Sequence, residues 1–261
     1  MTTASSSAAS RPDPALFDYL LRLGDDSLIL AQRLSEWCGH APMIEVDLSM
    51  SNVALDLVGQ AMLFLDYAGQ VEGKGRDGDK LAFHRDALRF RNCLLVEQPN
   101  GDFGQTMARQ YLFSTWQRLL FQGLVKSTDA QIAGIAAKAL KEIEYHADWS
   151  AEWVVRLGDG TPESRERMIN GFAWMWRFVD ELFQVDEIDA AVAKAGIGPA
   201  RDSLRSDFDA ALKSTFEAAT LPLTPLPAAV LGGRKGHHSE HLGHILAEMQ
   251  HLPRSYPGAV W

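Results

Sequence analysis

The chain has 261 residues, of which 46% are hydrophobic and 23% charged, and its formal net charge is −9. This composition is ordinary for a globular protein with a sizeable core, and the acidic balance argues against a nucleic-acid partner, which would favour a basic surface. Because no run of about 18 apolar residues and no signal-peptide pattern is seen, we expect a cytoplasmic protein without a membrane-spanning segment. The first stretch, MTTASSSAASRPDP, is small and polar, and we expect a disordered leader over residues 1–13.

Hydrophobic residues recur at helical spacing through most of the remaining chain. Asp13-Pro14 is typical of a helix start, since it offers a capping side chain and a proline at the first helical position. Gly24 is a weak point within this first helix and a candidate bend. Signals for strands are almost absent, so the sequence predicts an all-α bundle forming a single domain over residues 14–261. The predicted helices cover about 14–39, 48–68, 79–96, 103–124, 128–158, 161–183, 201–219 and 239–250, with a Pro/Gly-rich connector over 220–236.

The two cysteines, Cys38 and Cys93, both lie in apolar segments. In a cytosolic protein this pattern favours small core residues over a disulfide, a metal site or a nucleophile.

The helix that ends at Gly158 carries one inward histidine, His146, and invites comparison with di-iron bundles. In such bundles Glu-x-x-His places two ligands on one helix face, because positions i and i+3 project in the same direction. The residue three before His146 is Ile143. Glu142 and Glu144 flank Ile143 but lie about 100° to either side of it on the helix. One half of the expected ligand pair is missing.

The other helices do not complete a di-iron set either. Asp25 or Asp26 on the first helix and Asp56 on the second are available carboxylates, but the position three after Asp56 is Gly59. The helix before His146 offers Gln110, Tyr111 and Phe113 where a glutamate is needed. We therefore predict no catalytic, cofactor or metal site in this chain, and assign Asp56 and His146 to a buried polar network. The residues that would mark a vestigial site are Asp26, Asp56, Gly59, Ile143 and His146.

Two histidine patterns near the C-terminus are weaker signals for metal binding. Glu248 and His251 form a literal Glu-x-x-His without a second copy, which we interpret as surface or interface groups. His237, His241 and His244 share a face if the last helix extends to residue 237, but they lack the His-Glu-x-x-His order of a zinc protease. With Arg234 and Lys235 just before it, the segment is locally basic. It is therefore a solvated helix start or a segment that contacts a subunit or phosphate.

Long collinear segments resemble the C-subunit family of the bacterial phenylacetyl-CoA monooxygenase (epoxidase). They are LRLGDDSLILAQRLSEWCGHAP (21–42), SNVALDLVGQA (51–61), FRNCLLVEQPNGDFGQTMARQYLF (90–113), AAKALKEIEYH (136–146) and GGRKGHHSEHLGHILAEMQHLPRSYPGAVW (232–261). The resemblance implies a ferritin-like bundle with additional C-terminal helices and a tail. It implies a structural subunit that has lost its own metal ligands and to which no catalytic residue is assigned.

The resemblance also implies the rest of a complex. A sister A subunit holds the di-iron centre and the acyl-CoA, and a reductase delivers electrons from NADPH through flavin and an iron–sulfur cluster. The chain would form a hetero-oligomer with these and with small accessory subunits, a homodimer being the alternative when it is alone. The aromatic segments WQRLLF (116–121) and WMWRFVDELF (174–183) are candidate interfaces. Arg234, Lys235, His237 and His241 are candidate interface or CoA-phosphate contacts.

Two other functions stay open at this stage. One is a metal-dependent oxygenase that is active alone, and the other is an acyl-CoA-binding module.

Overall fold

The computed structural model describes residues 13–223 and 227–259. The expected leader lies outside these residues except for Asp13. Every regular element in the described ranges is helical, which confirms the all-α prediction. The α-helices are α1 (Pro14–Ser35), α2 (Ile44–Glu72), α3 (Gly78–Phe83), α4 (Leu94–Glu97), α5 (Phe103–Leu124), α6 (Ala130–Gly158), α7 (Pro162–Met175), α8 (Glu187–Lys194), α9 (Arg205–Ala218), α10 (Glu240–Met249) and α11 (His251–Ser255).

The four longest helices, α1, α2, α5 and α6, form the bundle. Short connections join α1 to α2 and α5 to α6, so each pair is antiparallel, and the long segment 73–102 crosses from one pair to the other. One long crossover between two helix hairpins is the connectivity of ferritin-like bundles, as the resemblance implied. The two pairs meet at the core, where the rings of Phe64 on α2 and Phe121 on α5 pack edge to face.

The helix ends follow local capping chemistry. The Asp13 side chain accepts hydrogen bonds from the amides of Ala15 and Leu16, as predicted from Asp13-Pro14. α2 ends where Gly73 takes the left-handed conformation. The cap of α6 is Asp129, whose carboxylate accepts from two backbone amides, rather than the predicted Thr128. A carboxylate is stabilised at the positive end of the helix dipole. Asp129 therefore caps α6, and the helix begins one residue later than predicted.

Gly24 lies in the unbroken α1 and marks a close approach rather than a bend. A Cβ at this position would come within 2.8 Å of Leu65 Cδ2 on α2. The small residue therefore allows the two helices of the first hairpin to pack tightly.

The helix predicted over 79–96 is wrong in its middle. α3 ends at Phe83, and residues up to α4 form a 3-10 turn (Ala87–Arg89) and extended chain. The amides of Arg91 and Cys93 donate to the carboxylates of Asp25 and Asp26 on α1, at 2.8 and 2.7 Å. Buried acceptors on α1 thus replace the helical carbonyls as partners for this backbone.

The helix predicted over 161–183 is too long in the same way. α7 ends at Met175, and two 3-10 turns, Trp176–Phe178 and Asp180–Phe183, complete the segment. The second turn carries Glu181, whose carboxylate accepts from the amides of Leu94, Gly232 and Gly233. The turn is therefore held by contacts distant in sequence that no local pattern encodes.

The cysteine prediction is correct for Cys93 and wrong for Cys38. Both thiols are free, but Cys93 is buried and Cys38 is exposed. Cys38 falls in the turns after α1 ends at Ser35, so the apolar segment from which its burial was inferred does not continue as a helix there.

α2 is the one described helix that is long and apolar enough to cross a membrane, judged by length and composition alone. The expectation that no such segment exists was therefore too strong. Core helices of soluble proteins pass the same test, and 44% of the apolar window of α2 is buried within the chain.

Candidate metal centre

The structure joins the two polar residues that the sequence placed at the centre of the bundle. His146 on α6 is fully buried, and its Nε2 lies 3.0 Å from Oδ2 of Asp56 on α2. Nδ1 of His146 has no hydrogen-bond partner among the described residues. The Asp56 side chain is 35% exposed. The two residues thus share a polar contact between α6 and α2, but the expected burial is correct only for His146, because Asp56 lies at the edge of the core.

The position three residues before His146, where a di-iron bundle has a glutamate ligand, is occupied by an apolar side chain. Ile143 is fully buried in the core. Beside it runs a chain of amides: Gln117 on α5 donates to Gln60 on α2 at 3.1 Å, and Gln60 donates to Glu142 on α6 at 3.2 Å. Two side-chain amides thus link α5 to α2 and α2 to the carboxylate of Glu142, where a metal centre would need several convergent carboxylates.

Gly59 lines a groove of about 130 Å³ between α2 and α6 together with Asp56 and Glu142. A Cβ on Gly59 would meet no atom within 4 Å, so a larger residue fits there sterically. Within residues 13–223 and 227–259, no cluster of three or more histidine, cysteine or acidic side chains is placed to hold a metal. The residues present do not fit a di-iron centre, which needs about six convergent ligands.

The carboxylates of α1 are engaged in buried ion pairs. Asp25 accepts from both terminal nitrogens of Arg85, and Asp26 accepts from both terminal nitrogens of Arg234, at 2.9 and 2.7 Å. Burial by itself lowers the pKa of Arg234, but the facing Asp26 carboxylate outweighs it and holds the pKa above its usual range. Arg234 is therefore a charged internal tie between the C-terminal segment and α1. Its terminal nitrogens already donate to Asp26 and to the Arg91 carbonyl.

The other basic candidates near Arg234 line a shallow cavity of about 240 Å³. Lys235 and His237 are exposed there, but the same wall includes Glu181, Asp186 and Asp189. Asp186 and Asp189 are paired with Arg22, and Glu181 accepts backbone amides, so the expected CoA contact stays a prediction.

The histidines of this segment do not form a helical metal face. α10 begins at Glu240, which leaves His237 off the helix that carries His241 and His244. His238, which the spacing argument passed over, is the inward one, with Nδ1 2.8 Å from Glu97 Oε2 and Nε2 3.1 Å from the Phe90 carbonyl. His238 differs from the other histidines in these contacts with Glu97 and Phe90, which are distant in sequence. No local pattern therefore indicated that it points inward.

The remaining surface predictions have different outcomes. Glu248 and His251 are exposed, as expected of surface groups. Trp116 is only 1% exposed and belongs to the core, so the expected interface on WQRLLF is wrong. Aromatic residues at helical spacing look the same whether they face a core or a partner. Trp174 is 39% exposed beside Arg177 and stays a candidate contact.

Comparison with known proteins agrees with this architecture. The family described as phenylacetic acid catabolic protein matches residues 1–261. The chain is also 50% identical over 243 residues to the C subunit of 1,2-phenylacetyl-CoA epoxidase from Escherichia coli (strain K12), a match that covers 93% of this chain and 98% of the relative. The chain therefore belongs to the phenylacetic acid catabolic protein family.

Proposed function

We propose that this chain is a non-catalytic structural subunit of a cytoplasmic phenylacetyl-CoA epoxidase complex. It pairs with the catalytic A subunit and stabilises it. In this proposal the A subunit supplies the di-iron centre, and a reductase supplies electrons from NADPH through flavin and an iron–sulfur cluster. The assignment to an epoxidase of this substrate follows the name of the 50% identical relative.

One observation carries the non-catalytic role: fully buried Ile143 stands at the ligand position beside His146. A hard metal site closes only when each ligand and its supporting hydrogen bonds are in place. Here the neighbouring carboxylates already have partners, Asp56 in His146 and Glu142 in the amide of Gln60. This arrangement also argues against a metal-dependent oxygenase that acts alone.

The test is metal analysis of the purified chain, alone and after co-expression with an A subunit, combined with an assay of NADPH oxidation dependent on phenylacetyl-CoA. We expect sub-stoichiometric iron in the chain alone, and iron and turnover in the co-purified pair. Two tightly bound irons in the chain alone would overturn the proposal. Tight binding of phenylacetyl-CoA by the chain alone would instead favour the acyl-CoA-binding module.

A further inference from the structure

The outer face of α2 presents large apolar side chains to solvent. They are 41–70% exposed and include Ile44, Leu48, Leu55, Val58 and Met62. With Ser51 between them, their positions follow one another at intervals of four, three, four, three and four residues. This is the spacing of a coiled-coil seam, in which alternate steps of three and four keep one stripe facing a partner helix. We call these six residues the α2 seam.

The α2 seam is large enough to hold a partner. Its side chains present on the order of 500 Å² of apolar surface, near the upper end of the largest patch found on ordinary monomers. A standard interface buries about 800 Å² on each side, a little more than half of it apolar. A single partner helix that covers the seam and its flanking side chains would therefore form an interface of about standard size.

A hole for a partner's side chain lies beside the seam. The 130 Å³ groove between α2 and α6 is lined by Leu55, Gly59 and Leu63, and no atom lies within 4 Å of a Cβ built on Gly59. In helix pairs of this type a projecting side chain of one helix fills such a hole on the other.

The charge of α2 identifies the occupant. α2 contains no lysine or arginine, and its exposed or half-exposed acids are Glu45, Asp47, Asp56 and Asp66, whereas Glu72 is buried and paired with Arg76. A second copy of α2 would bring carboxylates against carboxylates in either orientation. Lys138, which lines the neighbouring groove, lies on α6 and not on α2. An anionic membrane surface is disfavoured for the same reason, because interfacial helices carry lysine and arginine on their polar face.

We infer that the α2 seam docks an amphipathic helix of a different subunit, one with an apolar seam and basic flanks. This inference rests on the proposed function, because it assigns the surface through which the chain pairs with its catalytic partner. Apolar contacts provide the affinity, and the acidic flanks select a basic helix over a second copy.

The test measures the dissociation constant between the full chain and its A subunit. Leu55→Asp should weaken binding by at least about 30-fold, as for the removal of a central hot spot. Leu88→Asp is the matched control, because Leu88 is 72% exposed and lies off the seam. Gly59→Leu fills the hole without strain in the free chain, and we expect about tenfold weaker binding with an unfolding midpoint that does not fall. Gly243→Leu, at another helical glycine with open space, is its control.

The preference for a basic partner is tested separately. Glu45→Lys, at an exposed carboxylate in the first turn of α2, should weaken binding about threefold and reduce its dependence on salt. Glu240→Lys on α10 should change neither.

The outcomes separate this inference from the proposed function. If the wild-type chain binds the A subunit and the seam variants bind equally well, the seam is not the interface and the proposed pairing stands. If the wild-type chain does not bind the A subunit, the pairing itself fails. A homodimer of the chain alone that Leu55→Asp dissociates would assign the seam to a second copy. Binding to vesicles of anionic phospholipid that is lost in Leu55→Asp would assign it to a membrane, and either result overturns the inference.

Discussion

Replacing Arg234 by methionine tests the ion pair that ties the C-terminal segment to α1. The Asp26 residue is 2% exposed and the Arg234 residue 6% exposed, so neither charge is solvated. Arg234 also donates to the backbone carbonyl of Arg91 at 2.9 Å. Methionine keeps much of the side-chain volume but leaves Asp26, among the residues that the structure describes, with only the Cys93 amide as a hydrogen-bond partner. Removing one partner of a buried pair costs about 3–5 kcal/mol, and we expect Arg234→Met to lower the free energy of unfolding by that amount.

Urea unfolding followed by circular dichroism at 222 nm measures this loss. Lys213→Met is the control, because its ion pair with Glu217 is 3.9 Å long and exposed on both sides, so about 0.5 kcal/mol or less is expected. The double variant Asp26→Leu with Arg234→Met removes both charges and should recover much of the lost stability. A loss below about 1 kcal/mol in Arg234→Met, or strictly additive effects in the double variant, would refute the structural role given to this pair.

Three further outcomes follow from packing, exposure and hydrogen bonding. Gly24→Ala should lower stability by about 1–3 kcal/mol through its clash with α2, whereas Gly134→Ala, with no atom within 4 Å of the new Cβ, should raise it by about 0.5–1 kcal/mol; thermal melts compare the two. A maleimide should label exposed Cys38 in the folded chain at pH 8 but should reach Cys93 only in urea, since burial raises the pKa of that thiol well above its ordinary value; labelling of both thiols in native buffer would contradict this burial. Asp56→Ala should lower stability by about 1–3 kcal/mol by leaving a buried imidazole unpaired, while the iron content and turnover of the complex stay unchanged; a loss of iron would restore Asp56 as a ligand.

Local sequence determined the long helices because their signals are local. α5 occupies the predicted range Phe103–Leu124, since its capping aspartate and its periodic apolar residues lie within one segment. The errors fall where the partners are distant. No local pattern within residues 84–93 indicates that the amides of Arg91 and Cys93 donate to carboxylates on α1. Their acceptors, Asp25 and Asp26, lie more than sixty positions earlier in the chain. The helical pattern of the sequence therefore predicted a helix in a segment that tertiary hydrogen bonds hold in an extended conformation.

The candidate site shows the same division. The burial of His146 and Ile143 followed from helix periodicity, because it depends on which residues of α6 share a face, whereas the 35% exposure of the Asp56 side chain did not. Arg234 was assigned to the surface, because its charge and its Gly-rich surroundings are typical of exposed loops. Its burial depends on the facing carboxylate of Asp26, and sequence spacing holds no information about that contact.

These buried ties engage interior carboxylates that a metal ion would need as ligands. A carboxylate that binds a cation needs an oxygen without a competing positive partner. Asp25 faces Arg85 and Asp26 faces Arg234, while Glu181 accepts backbone amides of the crossover and of the C-terminal segment. The charges that remain inside the bundle hold the crossover and the C-terminal segment against α1. The docking surface that we infer lies elsewhere, on the outer face of α2, where the side chains of the seam are exposed.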